Sequence, residues 1–460
     1  MGQGRGRRVS LTRRLTLTDA VLLIIGNVIG AGIFTTSGFL AGELPHPWLF
    51  LGIWAVGGVL SLCGALTYAE LAGMFPRSGG DYQFLKEAFG PWAGFLLGWV
   101  AFWIINPGSI AALSIALASY MRAALPLLSG VSEMVLGGGL ILIFTAINWL
   151  GIRPGGTTQN LFALGTLALL GGLVLAGLAA PGANWELLTG VAPMPLSWSR
   201  MFGGPMIAVL FTFSGWFAAA YVGGEIINPQ RNLPRALIFG TLAVTVIYLL
   251  INLVYVTALP LTELAGATNV AQIALQSLYG AGVARWVSLP VILAIAAGIN
   301  AAVMTGSRVA YAMGRDGLFA VRLGHLHPKY RTPTVALACQ ALLGILLLVL
   351  GTFDQLLSYI VAVMVLSCLA CGLALFVLRF RRPEAPRLYR AWGYPLVPLL
   401  FVGGYLLILV QIVRGRPGPA LLGMLMTLSG LPCYLLQRQR RTEKLRDTAR
   451  VQAPAPSHFS

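Results

Sequence analysis

Residues Ile25 to Phe34 read IGNVIGAGIF, an apolar run interrupted by Gly26, Gly30 and Gly32. A glycine inside a helix costs about 1 kcal/mol relative to alanine, so three this close together predict a helix that breaks in the middle of a membrane span. A break in hydrocarbon bares backbone N–H and C=O groups, each costing several kcal/mol unless something polar meets it. A ligand can be that partner. A second stretch, Phe211 to Phe217 (FTFSGWF), interrupts another apolar segment further along. A pair of interrupted spans in corresponding halves of a chain points to a binding site between them.

The surrounding sequence is that of a polytopic membrane protein. Of its 460 residues 57% are hydrophobic and 10% charged, against about 25% charged in a soluble domain. Apolar segments long enough to cross a bilayer recur along the whole chain. The first of them continues straight into the glycine motif without a small-residue cleavage site, so no secretory signal is expected. A net charge of +17 suggests nucleic acid only until the positions are read, because the basic residues fall in alternate loops. No nucleic-acid partner is expected; the partners are the bilayer and a small molecule.

Taken in order, the chain reads as a basic arm (1–15), five spans (16–180), five more (200–380), two further spans (390–437) and a basic tail (438–460). The spans lie near 18–42, 48–74, 91–121, 133–150, 157–180, 200–226, 236–259, 285–314, 333–351, 355–379, 394–413 and 418–437, with Thr18 and Asp19 as the expected cap of the first. Of the 31 lysines and arginines, 25 then fall on the side that holds both termini and five on the other, with Arg308 inside a span. This positive-inside bias places both termini in the cytoplasm. The expected class is all-α, with twelve transmembrane helices and the first and sixth broken.

The two breaks have opposite polarity. A half-helix starting after Gly32 offers unpaired N–H groups and a partial positive charge, which suits a carboxylate. Gly30, Ala31 and Gly32 let a ligand approach the main chain. A break at Ser214 and Gly215 exposes carbonyls instead, which suit an ammonium group. Together they describe a receptor for an amino acid zwitterion, against the plainer reading that the glycines serve close helix packing.

Ionisable residues within spans are candidates because they are costly in lipid. Glu70, Glu225 and Arg308 stand out, as snorkelling residues or as an inner gate in which Arg308 pairs with a carboxylate. Phe211, Phe213 and Trp216 cluster at the second break, where Phe211 is the aromatic expected to cap a substrate. Asn106, Pro107 and Ser109 either line the same cavity or kink their span. Ser358 and Ser367 carry no clear signal. His46, His325, His327 and His458 all lie in loops or the tail, which excludes a buried histidine proton relay. Cys63, Cys339, Cys368, Cys371 and Cys433 sit in apolar segments, and the Cys368/Cys371 spacing lacks the second ligand pair that a metal needs. No metal and no cofactor are expected.

GNVIGAGIF, PRSGGDY, FTFSGWFAAAYVGGEIINPQRNLPRA and TGSRVAYAMGRDG resemble the amino acid-polyamine-organocation transporters, in particular the L-type amino acid transporter branch and its bacterial relatives. The resemblance runs from about residue 15 to about residue 435. It implies two inverted five-helix repeats plus two peripheral helices. It also implies a substrate carboxylate held by backbone around Val28, Ile29, Gly30, Ala31 and Gly32, and an amino group held by carbonyls of Phe211, Thr212, Phe213, Ser214 and Gly215, with Phe211 as the gating aromatic. In that family a lysine in the fifth span commonly occupies a cation position; this sequence has Thr166 there. Two adjacent hydroxyl residues in the eighth span bind sodium in coupled relatives; Asn300 and Ala301 stand in their place. Thr166 and Asn300 therefore either bridge spans 5, 1 and 8 or join carbonyls around sodium. The segment LPLLSGVSE lacks the cysteine through which eukaryotic members bind a heavy chain, so no disulfide-linked partner is expected.

A membrane enzyme would need clustered catalytic side chains at one depth, and a channel would use rings of carbonyls or charges. The sequence offers neither. The residues point to a secondary transporter of neutral amino acids in the cytoplasmic membrane, and the family resemblance implies exchange, with proton or sodium symport as the alternative.

Overall fold

The computed structural model describes residues 10–189, 203–280, 282, 285–351, 353–415 and 417–439, with the side chains of 285, 353–359 and 419 left out. Most of the basic arm, the loop before the sixth expected span, nearly all of the tail, and the side chains of Ser358 and His458 lie outside the described residues.

The chain begins with α1 (Leu17–Val28), α2 (Gly32–Glu43), α3 (Pro47–Met74), α4 (Asp81–Phe89), α5 (Pro91–Val100), α6 (Asn106–Ala124), α7 (Glu133–Trp149) and α8 (Ile152–Ala179). It continues with α9 (Gly204–Thr212), α10 (Ala218–Tyr221), α11 (Pro229–Ala258), α12 (Leu261–Leu264), α13 (Val270–Tyr279) and α14 (Ser288–Arg315). The last helices are α15 (Thr334–Leu350), α16 (Phe353–Arg381), α17 (Leu396–Gly415) and α18 (Pro417–Leu428). Among the described residues, the sole β pairing is an isolated parallel bridge between Leu15 and Ile226. Among the described residues, eight helices are long and apolar enough to cross a membrane, or nine spans if α1 and α2, which meet at 44°, are counted together as one. Two further apolar helices, α7 and α15, are shorter.

Local sequence explains the departures from the expected boundaries. The first helix is capped by Thr16, not Thr18: the Thr16 side chain accepts from the Asp19 amide at 3.2 Å and the Asp19 carboxylate accepts from the Thr16 amide at 2.7 Å, a reciprocal box that satisfies two otherwise orphaned donors. The PRSGGDY stretch leads into the short amphipathic helix α4, which lies between the second and third expected spans. The span from Pro91 runs past Pro107 without ending there. A π turn at Ala101–Ile105 precedes it and absorbs the proline, so that the span continues to Ala124.

The molecule is built around α14, whose most apolar stretch is 78% buried, whereas the corresponding stretches of α17 and of Ala420–Gln439 are 28% and 17% buried. In a bilayer those last two segments face lipid and α14 forms the axis. α14 packs against α1, α6 and α8, and α1 packs in turn against α8 and α11. The broken helix α1 is thereby held at the centre of the bundle.

Candidate functional site

At the first break α1 ends at Val28 because Ile29 turns extended (φ −73°, ψ 108°). α2 starts at Gly32 with Ala31 as its cap and no side-chain oxygen to serve its first amides. The first-turn N–H groups of a helix have no acceptor of the i−4 kind; here the Phe34 amide turns to the Ala31 carbonyl at 3.1 Å, which leaves the Gly32 and Ile33 amides as the donors at the start of α2. Gly30, Ala31 and Gly32 are half-exposed between buried neighbours, and a Cβ placed on Gly30 would meet nothing within 4 Å. Space therefore lies beside the break.

The second break lies directly alongside. α9 stops at Thr212, and residues 213–217 run as turns before α10. Gly215 adopts φ +102°, a conformation L side chains rarely take, and a Cβ there would collide with Asn27. The Asn27 side-chain amide donates to the Gly215 carbonyl at 3.1 Å, tying the end of α1 to the second break. The hydroxyls of Thr36 and Thr212 lie 2.8 Å apart. Tyr248 of α11 sits behind both breaks, its hydroxyl 2.9 Å from the Val28 carbonyl and 3.2 Å from the Thr212 carbonyl. One phenol proton thus serves the last carbonyls of two separate half-helices.

The expected binding residues divide by accessibility. Gly30, Ala31, Gly32, Phe211 and Ser214 are half-exposed, while Val28, Ile29, Thr212, Phe213 and Gly215 are buried. The Phe213 ring does not face the opening: it packs between Trp54 (6.1 Å between centroids) and Tyr248 (5.0 Å). Trp216 likewise packs on Tyr68 at 4.8 Å. Of Phe211, Phe213 and Trp216, Phe211 is the one left partly accessible; Phe217, at the far end of the turns, is half-buried beside Trp216 and Tyr221.

Thr166 and Asn300 are not brought into one network. The Thr166 hydroxyl donates to the Phe162 carbonyl of its own helix at 2.8 Å, so it makes no interhelix bridge. Asn300 links α14 to α7 and α8 rather than to α1: it donates to the Gly155 carbonyl (3.0 Å) and Gln159 Oε1 (2.8 Å) and accepts from Asn148 Nδ2 (2.8 Å). Gln159 reaches the centre of the fold, where a Cβ on Gly26 would strike its amide. Among the described residues, no group of three or more His, Cys, Asp or Glu is placed to hold a metal ion.

Arg308 and Glu225 form a buried bidentate pair, Nε to Oε2 at 2.9 Å and Nη2 to Oε1 at 3.0 Å. The Glu225 carbonyl accepts from the Arg14 and Leu15 amides at 2.8 and 2.9 Å, and the Ile227 amide donates to the Leu15 carbonyl at 2.8 Å. The strand-like entry to α1 is thus stitched to the exit from the second break. Glu70 is held separately, by Arg379 Nε at 3.0 Å, by Arg387, whose Nε lies 3.1 Å away, and by the Ala391 amide at 2.7 Å. Sequence reasoning missed Tyr248, Asn27 and Gln159. Tyr248 and Asn27 gave no more signal than a lone polar side chain in an apolar run, and Gln159 was one of four consecutive polar residues, 157–160.

The amino acid permease family matches residues 15–428. The serine/threonine exchanger SteT of Bacillus subtilis (strain 168) is 32% identical over 435 residues, covering 94% of this chain and 98% of its own. The mouse large neutral amino acids transporter small subunit 2 is 30% identical over 449 residues (94% and 82%), and the mouse Asc-type amino acid transporter 1 is 32% identical over 442 (93% and 82%). These relatives are transporters and not enzymes. The chain belongs to the amino acid permease family, within the amino acid-polyamine-organocation superfamily and alongside its L-type transporters and their bacterial relatives.

Proposed function

We propose that this protein exchanges neutral amino acids across the cytoplasmic membrane by alternating access. The observation that carries the reading is the juxtaposition of two helix breaks of opposite polarity, with free amides at the start of α2 and turn carbonyls after α9, beside open space at Gly30. The amides hold the carboxylate and the carbonyls around Phe213 and Ser214 hold the ammonium group. Neither break contains an acidic side chain, which favours neutral substrates over cationic ones. Relatives named as a serine/threonine exchanger and a large neutral amino acid transporter support the same substrate class.

In this reading the chain crosses twelve times. The α1–α2 pair and the α9–α10 pair are the broken spans, α5 and α6 form one span, and α7 and α15 are short ones. Residues 16–180 and 200–380 are the inverted repeats, 390–437 the peripheral pair, and the basic ends 1–15 and 438–460 lie in the cytoplasm. Arg308 and Glu225 close the cytoplasmic side and Phe211 shields the substrate.

The test is uptake of labelled serine and leucine into liposomes containing the purified protein. Saturable uptake accelerated by unlabelled amino acid inside is the expected result. Uptake that ignores internal amino acid and instead follows an imposed sodium or proton gradient would replace exchange by symport; non-saturating flux would end the carrier reading.

A further inference from the structure

Asp81 opens α4, outside the membrane-spanning helices, at a place where several elements meet. Its carboxyl is 2% exposed. Oδ2 accepts from the Ser367 hydroxyl of α16 at 2.7 Å, while Oδ1 is buried without a hydrogen-bond partner. Tyr68 of α3 faces it, its hydroxyl also buried and unpartnered, and so does Tyr221 of α10. Cys368 and Cys371 of α16 and Tyr405 of α17 complete the titratable groups around it. None of these is cationic, and among the described residues Asp81 joins no ion pair. Burial pushes its carboxyl up from the ordinary 3.8 to about 6, against the Ser367 hydrogen bond, which favours the charged form.

We propose that Asp81 is a proton-binding site whose occupancy is linked to movement of the segment 218–225. That segment is the lid over Asp81. The Tyr221 carbonyl accepts from the Gly79 amide at 2.9 Å, the Gly224 amide donates to the Ser78 hydroxyl at 3.2 Å, and a Cβ on Gly80 would strike the Tyr221 ring. Its far end is Glu225, locked to Arg308. Ser367 also borders a groove of about 300 Å³ whose other walls include Leu85, Phe89, Trp92, Leu96, Val363 and Leu366. Those apolar walls bring no water, so Asp81 meets solvent when the lid lifts on the Tyr221 side.

The linkage has a definite sign. The closed packing binds the proton more tightly than an open, hydrated one, so acidification favours closure. The advantage begins as pH falls through about 6 and is complete below the ordinary carboxylate value; between pH 7 and pH 5 it amounts to about tenfold. The effect on transport rests on the exchanger reading, whereas the site itself does not.

Hydrogen exchange of the purified full-length protein, corrected for the intrinsic pH dependence of amide exchange, tests the site without transport. Amides of residues 218–225 are expected to exchange about tenfold more slowly at pH 5 than at pH 7. In Asp81→Asn, which is permanently neutral, the slow exchange should persist at both. Ser367→Ala, which removes the hydrogen bond to the charged form, should move the midpoint to higher pH even if the asparagine variant folds poorly. Equal protection at both pH values in the wild type, or an unchanged pH response in Asp81→Asn, overturns the proposal. In liposomes, acid on the face that bears Asp81 should slow exchange in the wild type and leave Asp81→Asn unaffected. Absence of exchange at every pH, with the hydrogen-exchange result intact, would count against the exchanger reading and not against the proton site.

Discussion

Arg308 on α14 and Glu225 at the exit of the second break share two hydrogen bonds in full burial, and the backbone of that same glutamate holds the entry to α1. One residue therefore joins three elements on one side of the molecule. Opening that side requires its side chain and its main chain to let go together.

Breaking a buried pair by removing one partner costs about 3–5 kcal/mol, because the remaining charge is stranded. Arg308→Ala is expected to destabilise the protein by that order, seen as a fall in thermal unfolding temperature. The double neutral variant Glu225→Gln with Arg308→Gln strands no charge and should recover much of the stability. If the pair is a gate, exchange started from the two faces of the membrane will differ from wild type in that double variant. Unchanged rate and sidedness would show that the pair holds nothing shut.

Tyr248 supplies one proton to the carbonyls that end α1 and α9. Tyr248→Phe keeps the ring and its packing on Trp54 at 5.5 Å and on Phe213, but leaves two buried carbonyls without that donor, a cost of about 1–3 kcal/mol. The fold should survive while the relative placement of the two breaks loosens. A KM for substrate raised roughly 5- to 100-fold, with a smaller change in maximal rate, is the expected split. An unaltered KM would show that Tyr248 plays no part in holding the binding geometry.

The oxygens considered for sodium are already engaged. The Thr166 hydroxyl serves its own helix, and the Asn300 carbonyl oxygen accepts from Asn148. Replacing sodium by choline is therefore expected to leave the initial rate of exchange unchanged. Asn300→Ala should lower stability by about 1–3 kcal/mol by leaving Gln159 Oε1 and the Gly155 carbonyl without the amide that donates to them, without creating a sodium response. A rate that rises with external sodium would return these residues to an ion site.

The sequence disclosed the breaks better than what holds them. Gly26, Gly30 and Gly32 concentrate their helix penalty within about two turns, and FTFSGWF places Ser214 and Gly215 where a helix has nothing to gain, so both interruptions are local signals. The groups that satisfy them are not local: Tyr248 lies 220 residues from Val28, and Arg379 lies 309 from Glu70. A single tyrosine in an apolar helix announces no partner until the bundle is assembled. The same holds for Thr166, whose place opposite α1 suggested a bridge but whose hydroxyl finds a nearer acceptor one turn back. α4 escaped for another reason, since two glycines and mixed polarity before it resemble a loop until Asp81, Tyr82 and Lys86 meet Ser367 and Asp316 across the fold.

Gly30 and Gly215 stand at the two breaks for opposite reasons, and substitution separates them. Gly30 has open space around its Cα and an ordinary backbone, so Gly30→Ala should fold with wild-type stability while its methyl enters the space proposed for substrate. Gly215 has φ +102° and Asn27 against it, so Gly215→Ala must strain the turn and push away the amide that joins the breaks; a loss of stability above about 1 kcal/mol follows. Thermal unfolding should therefore rank Gly215→Ala well below Gly30→Ala, while substrate affinity of the folded fraction should fall in both. A Gly30→Ala protein with unchanged affinity for serine and leucine would mean that the space beside the first break is not where the amino acid sits.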